Sequence, residues 1–483
     1  MKRLAVLWTN NKVRRECTIR GEGDPLVEGI SFSAQDCRAN FVYIAIHGLH
    51  HDGHSFIDEA LRRGASVVVH HQILKDYQGG IKYIRHPNPR RIASLFASTL
   101  YGELPSTIIG VTGTDGKSTT CDFLWQLLTF SGVQCGLLTT VAIDDGRGKR
   151  ESPYRQSTPE SPQIYHFLAE CKKNGVETVL LEATSHGLST KASRLVDIVF
   201  SGAIVTAFSS EHLEYHENLE NYLEAKLNIV RQLKVGGWLV INQAIPFFER
   251  FVRDGIKIIP YNRGSLKTVA QQWDKRVIEV AAKTRITLPY GQECYALNAT
   301  GAYLALQALG PVGRDEWHLL PVKGRFEVVT TTPFLIIIDF AHTKEAFDLL
   351  FKHLKDHFPE KRLVALFGSG GERDRTKRFA LGSSAATWCH TLFLTDEDPR
   401  YEEPLQIESD IVAGINSVTF EGELFKIYGR AEAIKAALNY CDPSTILLLL
   451  GKGHESSLEY KGEKLPWNER ALVERLLAEK GAK

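Results

Sequence analysis

The run from Ile108 to Thr120, Ile-Ile-Gly-Val-Thr-Gly-Thr-Asp-Gly-Lys-Ser-Thr-Thr, leaves few folds open to this chain. Its β-branched residues predict a short buried strand, and Gly113 and Gly116 a tight turn. Phe123, Leu124, Leu127 and Leu128 predict the apolar face of a helix that starts directly after it. Backbone N–H groups of such a turn close around phosphate oxygens, and the helix N-terminus adds partial positive charge. Lys117 supplies a full charge for β- and γ-phosphates, and the Ser118 hydroxyl suits Mg²⁺. The general pattern places a glycine where Val111 stands, so the loop is a variant anchored on Gly113 and built from Thr114, Asp115, Gly116, Lys117, Ser118 and Thr119. The expectation is binding of a nucleoside triphosphate.

Length bounds the organisation: 483 residues predict about three domains. A net charge of +1 gives no reason to expect nucleic acid or a membrane surface as partner. The 8 cysteines are scattered without a Cys-x-x-Cys pair, the pattern of reduced thiols in a cytoplasmic protein. Lys2 and Arg3 precede an apolar run, Leu4–Trp8, too short for a signal peptide. No stretch approaches the roughly 20 apolar residues of a membrane span.

Three segments follow from the pattern. Residues 1–104 hold strands at 41–46 and 66–69 and a helix at 56–63, ending in turn composition at 101–105. Residues 105–321 alternate strands (178–181, 198–206, 238–241) with helices and close on an apolar helix at 298–309. Residues 322–483 repeat the rhythm, with strands at 335–338, 363–367, 391–395 and 446–450. The predicted class is α/β with mostly parallel sheets. In such sheets ligands bind beyond the carboxyl ends of the strands, so the residues after each run are the candidates.

Glu182 follows the 178–181 strand, where one carboxylate can hold Mg²⁺ beside phosphates. His212, in Glu211-His-Leu-Glu-Tyr-His216, could be a second ligand, although the residues alone favour a charged surface turn. Lys226 reads as an ordinary exposed helical lysine. Asp339 ends a strand and suits ribose hydroxyls, with His342 near phosphate. Arg373, Arg375, Lys377 and Arg378 on a glycine-rich stretch suit an anion, or form a solvated charge run. In Asp396-Glu397-Asp398-Pro399-Arg400, proline stiffens the loop that presents Arg400, whose planar fork suits a carboxylate. Gly451 exposes backbone N–H groups, and Glu455 suits an ammonium. Groups for both a carboxylate and an ammonium point to an amino acid. With a triphosphate, they point to ATP-driven bond formation. His47, His50, His51 and His54 surround the Asp52-Gly53 turn without cysteine partners or helical spacing, which argues against a metal there.

Gly113–Ser118, Glu182-Ala-Thr-Ser-His-Gly-Leu188, Glu211–His216, Gly324-Arg-Phe-Glu327, Asp339-Phe-Ala-His-Thr343, Gly429-Arg-Ala-Glu432 and Gly451-Lys-Gly-His-Glu455 together resemble the Mur ligases of bacterial cell-wall synthesis, in order over nearly the whole chain. The resemblance implies a small UDP-binding α/β domain at 1–104, a central phosphate-loop ATPase domain at 105–321, and a Rossmann-like amino-acid-binding domain at 322–483. It implies that a D-glutamyl carboxylate of UDP-N-acetylmuramoyl-L-alanyl-D-glutamate takes the γ-phosphoryl group of ATP, and that an amine displaces it. Lys117, Lys226 and His212 would be catalytic. Ser118, Glu182 and His212 would hold Mg²⁺, and Lys226 would be carbamylated (N6-carboxylysine). Asn298, Arg325, Asp339 and His342 would contact the nucleotide. Ser33, Ser157, Thr158, Thr184 and Arg194, with the Gly48–Gly53 loop, would contact the muramyl dipeptide. Arg373, Glu397, Asp398, Pro399, Arg400, Gly451 and Glu455 would bind meso-2,6-diaminopimelate. A monomer is expected.

Two departures stand out. Relatives that add diaminopimelate carry Asn where this chain has Asp398, and an ionised Asp accepts from an ammonium but cannot donate to a carboxylate. Tyr295 stands where relatives often carry an Asn near adenine. Alternatives are a lysine-adding ligase, a folylpolyglutamate-type synthetase, and a non-catalytic nucleotide-binding regulator. The long first segment argues against the second, and joint retention of Lys117, Glu182, His212 and Lys226 against the third.

Overall fold

A computed structural model describes residues 1–483 except 49, 155, 210–212, 282–283, 311–312 and 482–483. The chain divides into two compact units. The first comprises residues 1–211, 215–264 and 298–313, and the second residues 212–214, 265–297 and 314–483.

Among the described residues the first unit holds two large sheets and a small pair, Lys2–Arg3 with Leu26–Val27. Strands β1 (Thr18–Arg20), β2 (Gly29–Ser31), β3 (Phe41–Ile44), β4 (Ala65–His70) and β5 (Lys82–Arg85) lie in the order β1-β5-β4-β3-β2, parallel except for β1. The helix expected at 56–63 is a 3₁₀ turn, Gly53–Phe56, followed by α1 (Ile57–Arg62), because the Asp52 carboxylate accepts from His54 N and starts the turn early. Helix α2 (Pro89–Leu100) has an Asn88 cap, and its Arg91 makes two bonds to Asp197, at 2.6 and 2.9 Å.

The second sheet is built from β6 (Thr107–Thr112), β7 (Cys135–Leu138), β8 (Ala142–Asp144), β9 (Arg150–Glu151), β10 (Thr178–Glu182), β11 (Phe200–Val205), β12 (Leu233–Asn242) and β13 (Lys257–Tyr261), in the order β9-β8-β7-β10-β6-β11-β12-β13. The six strands from β7 to β13 in that order are parallel. Central β6 and β11 are apolar on both faces, as a sheet covered on both sides demands. Among the helices are α3 (Lys117–Phe130), α4 (Ser161–Lys173) and α5 (Leu219–Arg231), whose Tyr222, Leu223, Leu227 and Val230 are buried.

In the second unit β14 (Leu266–Gln271), β15 (Arg276–Val280), β16 (Thr284–Leu288) and β17 (Glu316–His318) form a small sheet in that order. The apolar helix α6 (Glu293–Leu309) starts five residues before the expected 298 and carries the chain from the second unit into the first. The main sheet has the order β18-β19-β23-β20-β21-β22, from β18 (Glu327–Thr330), β19 (Leu335–Asp339), β20 (Arg362–Phe367), β21 (Thr391–Leu394), β22 (Glu423–Lys426) and β23 (Thr445–Leu450). All its pairs are parallel except β18 with β19. Its helices are α7 (Lys344–His357), α8 (Thr376–Trp388), α9 (Pro404–Ile415), α10 (Arg430–Tyr440) and α11 (Glu469–Gly481). Ile336, Ile338, Val364, Leu366, Leu447 and Leu449 form the centre of its core. The α/β class expected from the alternating pattern is the observed one. No described helix is long and apolar enough to cross a membrane.

Candidate active site

Strand β6 delivers the chain to Gly113 at φ +154° and Gly116 at φ +82°, both closed to ordinary side chains. A methyl group on Gly113 would lie 2.0 Å from Thr206 Oγ1, and one on Gly116 2.5 Å from Asn298 Oδ1. The loop therefore rests on the end of β11 and beside Asn298. Thr206 Oγ1 donates to Asp115 O (2.6 Å), and Thr114 N donates to Ala207 O (2.9 Å). The Thr114 and Tyr222 hydroxyls lie 2.9 Å apart. Val111, the departure from the general pattern, is buried inside β6, so the turn proper begins only at Gly113. Lys117 Nζ curls over the loop and donates to Thr114 O at 2.7 Å, and Thr119 is buried in the first turn of α3.

Glu182 closes β10, the neighbour of β6, and its carboxylate is buried. Its Oε2 accepts from Ser118 Oγ (2.8 Å) and from Thr140 N and Oγ1 (3.1 Å each). Thr140 carried no pattern in the sequence beyond a polar residue following a strand. From the loop before α4, Thr158 Oγ1 donates to Glu182 O (2.7 Å) and accepts from Thr184 N and Oγ1 (3.0 Å each). Arg194 donates to Thr158 O and to Glu160 Oε1, both at 3.0 Å. The structure thus joins Thr158, Thr184 and Arg194 to the strand that carries Glu182. Ser157 is half-buried next to Thr158.

Lys226 corrects an expectation. Its spacing reads as exposed, yet it is 1% exposed, on the inner face of α5, with its ammonium 4.6 Å from the Tyr222 ring centroid. A lysine so placed costs stability unless its charge is paired or neutralised. His212 and Glu211 lie outside the described residues. In the histidine-rich loop, His54 Nδ1 sits 2.6 Å from Asp52 Oδ1, and the backbone and ring of His54 hold the Asp52 carboxyl well below its ordinary range. Among the described residues no three His, Cys, Asp or Glu side chains are grouped to hold a metal ion. Ser33 is half-buried, and its backbone bonds Ser31 Oγ.

In the second unit, Asp339 is buried and accepts from Ala341 N (2.6 Å) and Phe326 N (2.5 Å), and burial pushes its pKa up. Arg325 lies over the Phe340 ring at 4.4 Å, and His342 Nδ1 is 2.8 Å from Phe340 O. Tyr295 is buried and stacked on Tyr290 with centroids 3.9 Å apart.

The loops after β21 and β23 meet in one charged cluster. Asp398 Oδ1 accepts from Lys452 Nζ (3.0 Å) and Glu459 N (2.9 Å), and Lys452 also pairs with Glu455 at 2.6 Å. Burial works against the Lys452 charge, but Glu455 and Asp398 outweigh it and raise the pKa, while burial raises that of Glu455. Lys452, missed in the sequence, is thus the ammonium that Glu455 already holds. Gly451 sits at φ +94°, a backbone conformation that side chains rarely adopt, with the Glu397 carboxylate packed against it. Arg400 Nη1 donates to Gly371 O (2.7 Å), and Arg400 Nε is 3.7 Å from Glu459 Oε2. Of the four cations after Gly371, two are structural: Arg375 pairs with Asp410, and fully buried Arg378 with Glu402 and Asp410. Arg373 is exposed.

A phosphate loop with a strand-end carboxylate at its serine, in an α/β chain whose second sheet ends in charged loops, defines a nucleotide-binding enzyme of the phosphate-loop type. Residues 111–310 match the Mur ligase middle domain and residues 324–453 the Mur ligase glutamate ligase domain. The chain is 36% identical to the UDP-N-acetylmuramyl-tripeptide synthetase of Borreliella afzelii, over 94% of each sequence. It is 29% identical to the UDP-N-acetylmuramoyl-L-alanyl-D-glutamate–2,6-diaminopimelate ligase of Syntrophomonas wolfei, over 96% of this chain and 98% of the other. A solved structure of a ligase of the latter name superposes with a TM-score of 0.57 at 25% identity, covering 94% and 95%. The MurF ligase of Thermotoga maritima solved with ADP shares the fold, with a TM-score of 0.64 at 19% identity over 95% and 98%. The chain belongs to the Mur ligase family, the ATP-dependent amide ligases of peptidoglycan precursor synthesis.

Proposed function

We propose that this enzyme adds the third residue, a diamino acid, to UDP-N-acetylmuramoyl-L-alanyl-D-glutamate. The observation that carries this reading is the Lys117 loop with the Ser118–Glu182 pair at its mouth. The D-glutamyl carboxylate attacks the γ-phosphate, giving an acyl phosphate and ADP. The amine then attacks the acyl carbon, and the tetrahedral intermediate expels phosphate. Lys117 and the loop N–H groups offset charge on the transferring group, where catalysis of phosphoryl transfer mostly resides.

One carboxylate and one hydroxyl, buried together, fit Mg²⁺, which prefers few protein oxygens plus phosphates and water. Ser118 and Glu182 would hold it, with His212 a further ligand, and it would neutralise phosphate charge. Lys226 is proposed to carry a carbamate, and its burial in α5 supports a role other than solvation. By resemblance to the Mur ligases, Asn298, Arg325, Asp339 and His342 would be nucleotide contacts. Ser33, Ser157, Thr158, Thr184 and Arg194 would recognise the muramyl dipeptide. The proposed organisation is a UDP-binding segment 1–104, an ATPase segment 105–321 and an amino-acid segment 322–483, acting as a cytoplasmic monomer.

The proposed amine is meso-2,6-diaminopimelate, with Arg400 meeting its second carboxylate. L-lysine is the second reading, favoured by Asp398, which with Glu455 already encloses one ammonium and cannot donate to a carboxylate. Incubation with ATP, the muramyl dipeptide and both amines at equal concentration tests the choice by product mass. A lysyl product alone overturns the diaminopimelate reading. Absence of carboxylate ¹⁸O from the released phosphate overturns the acyl-phosphate mechanism.

A further inference from the structure

Three loops of the second unit lock together at two glycines. A methyl group on Gly324 would lie 2.1 Å from His454 N, and one on Gly453 2.7 Å from Phe340 Cβ and 2.9 Å from Gly324 O. Both glycines stand at positive φ, +67° and +47°. Phe340 N donates to Gly324 O (3.0 Å), and Gly451 N donates to Asp339 O (3.1 Å). The loops that carry Arg325, Phe340 and His454 are therefore in backbone contact. Phe340 is their hub. The Arg325 guanidinium lies over its ring, 4.4 Å from the centroid, and the His342 and His454 rings lie 4.7 and 4.9 Å from it. A cation in that position is held by the ring quadrupole.

Independently, His454 is 8% exposed, and both of its ring nitrogens are buried without a hydrogen-bond partner among the described residues. Buried polar groups are ordinarily paired, so packing alone would favour a phenyl ring here. Burial first, then Arg325, Lys323, Lys452 and His342, push the His454 pKa well below its ordinary 6.5. The ring is therefore neutral near pH 7. Lys452 faces it from its own loop, Lys323 and Arg325 from the loop at Gly324, and His342 from the loop after β19. A neutral imidazole offers such cations a lone pair, which a phenyl ring cannot.

We propose that Phe340 and His454 are positioning residues for Arg325: Phe340 supplies the face on which the guanidinium rests, and the His454 ring, packed against Phe340, holds that face in place and offers a lone pair to the surrounding cations. The assignment rests on the reading above in which Arg325 contacts the nucleotide. Neither residue is given a contact with substrate; both act through Arg325.

The test is a double-mutant cycle read by calorimetric titration of the full chain with ADP and Mg²⁺, with the KM for ATP and for the amine measured alongside. Arg325→Met is expected to weaken ADP binding about tenfold or more. Phe340→Leu and His454→Phe should each weaken it about three- to tenfold, raise the KM for ATP by a similar factor, and leave the KM for the amine within about twofold. In the Arg325→Met background the same two substitutions should have no further effect on ADP binding. Phe340→Tyr, which keeps the aromatic face, should bind ADP as the wild type does. A merely structural role would weaken binding equally with or without Arg325, and that additivity overturns the proposal. So does wild-type ADP binding in both Phe340→Leu and His454→Phe. If Phe340→Leu fails to fold, the His454→Phe arm decides by the same criterion. Unchanged ADP binding in Arg325→Met removes Arg325 from the nucleotide site and overturns the proposal with it. No phosphate release with any amine overturns the ligase reading, and the ADP cycle still decides the positioning.

Discussion

At the scale of single residues, Lys117 and Lys226 mark opposite ends of what a sequence makes legible. Lys117 declares itself because the loop around it is consecutive chain, and its neighbours Gly113 and Gly116 have the positive φ that the turn needs. Replacing it by Met is expected to lower ATP-dependent phosphate release by a hundredfold or more, with the far-ultraviolet circular dichroism spectrum unchanged. Lys226 gives no local sign, because only the packing of α5 buries it. Lys226→Met is expected to bring turnover to background with the far-ultraviolet circular dichroism spectrum unchanged, since an apolar chain of similar length keeps the packing of α5 and cannot carry the proposed carbamate. Full turnover in that variant would assign Lys226 to packing alone. His353 offers a pH test. Burial, against the pull of the Trp273 carbonyl 2.7 Å away, holds its pKa at about 4, below its ordinary 6.5. As pH falls from 6.5 toward 4, the unfolded chain takes up this proton before the folded one does, so stability falls over that window. The fall in thermal midpoint between pH 7 and pH 4.5 should be smaller in His353→Gln than in the wild type.

At the scale of elements, strand ends predicted where chemistry would gather, and β10 delivers Glu182 to the phosphate loop as that rule requires. Helix packing was not legible. Helices α8 and α9 approach so closely that a methyl group on Gly414 would lie 1.9 Å from Phe379 O, and one on Gly382 2.1 Å from Ile411 O. Each glycine looks like a weakness in its own helix and becomes a requirement only once the other helix is in place. Buried Arg378, bonded to Glu402 and Asp410, ties α8 to α9 and to the loop before it. Gly414→Ala is expected to cost about 1–3 kcal/mol, seen as a lower urea midpoint, because backbone cannot yield as a side chain can. An unchanged midpoint would mean that the helices separate freely.

At the scale of the whole molecule, two compact units predict more than one calorimetric transition, since a single two-state transition is not the rule for such chains. The phosphate loop lies entirely in the first unit. ADP with Mg²⁺ at about 100 times its Kd is expected to stabilise the transition of that unit by about 2.7 kcal/mol. Lys117→Met should abolish most of that gain. An equal shift in the variant would place nucleotide binding elsewhere.

By itself the sequence determined the strand–turn–helix at Gly113–Lys117, the α/β alternation and the acidic and basic strand-end loops, because each depends on residues close together in the chain. Tertiary structure alone decided which of those charges are committed. Asp398 meets Lys452, Arg378 meets Asp410, and Lys226 loses its solvent only after distant strands and helices have packed. The physical reason is that a backbone cradle is written in local dihedral preference, whereas the pairing and desolvation of a side chain depend on whatever the fold brings against it.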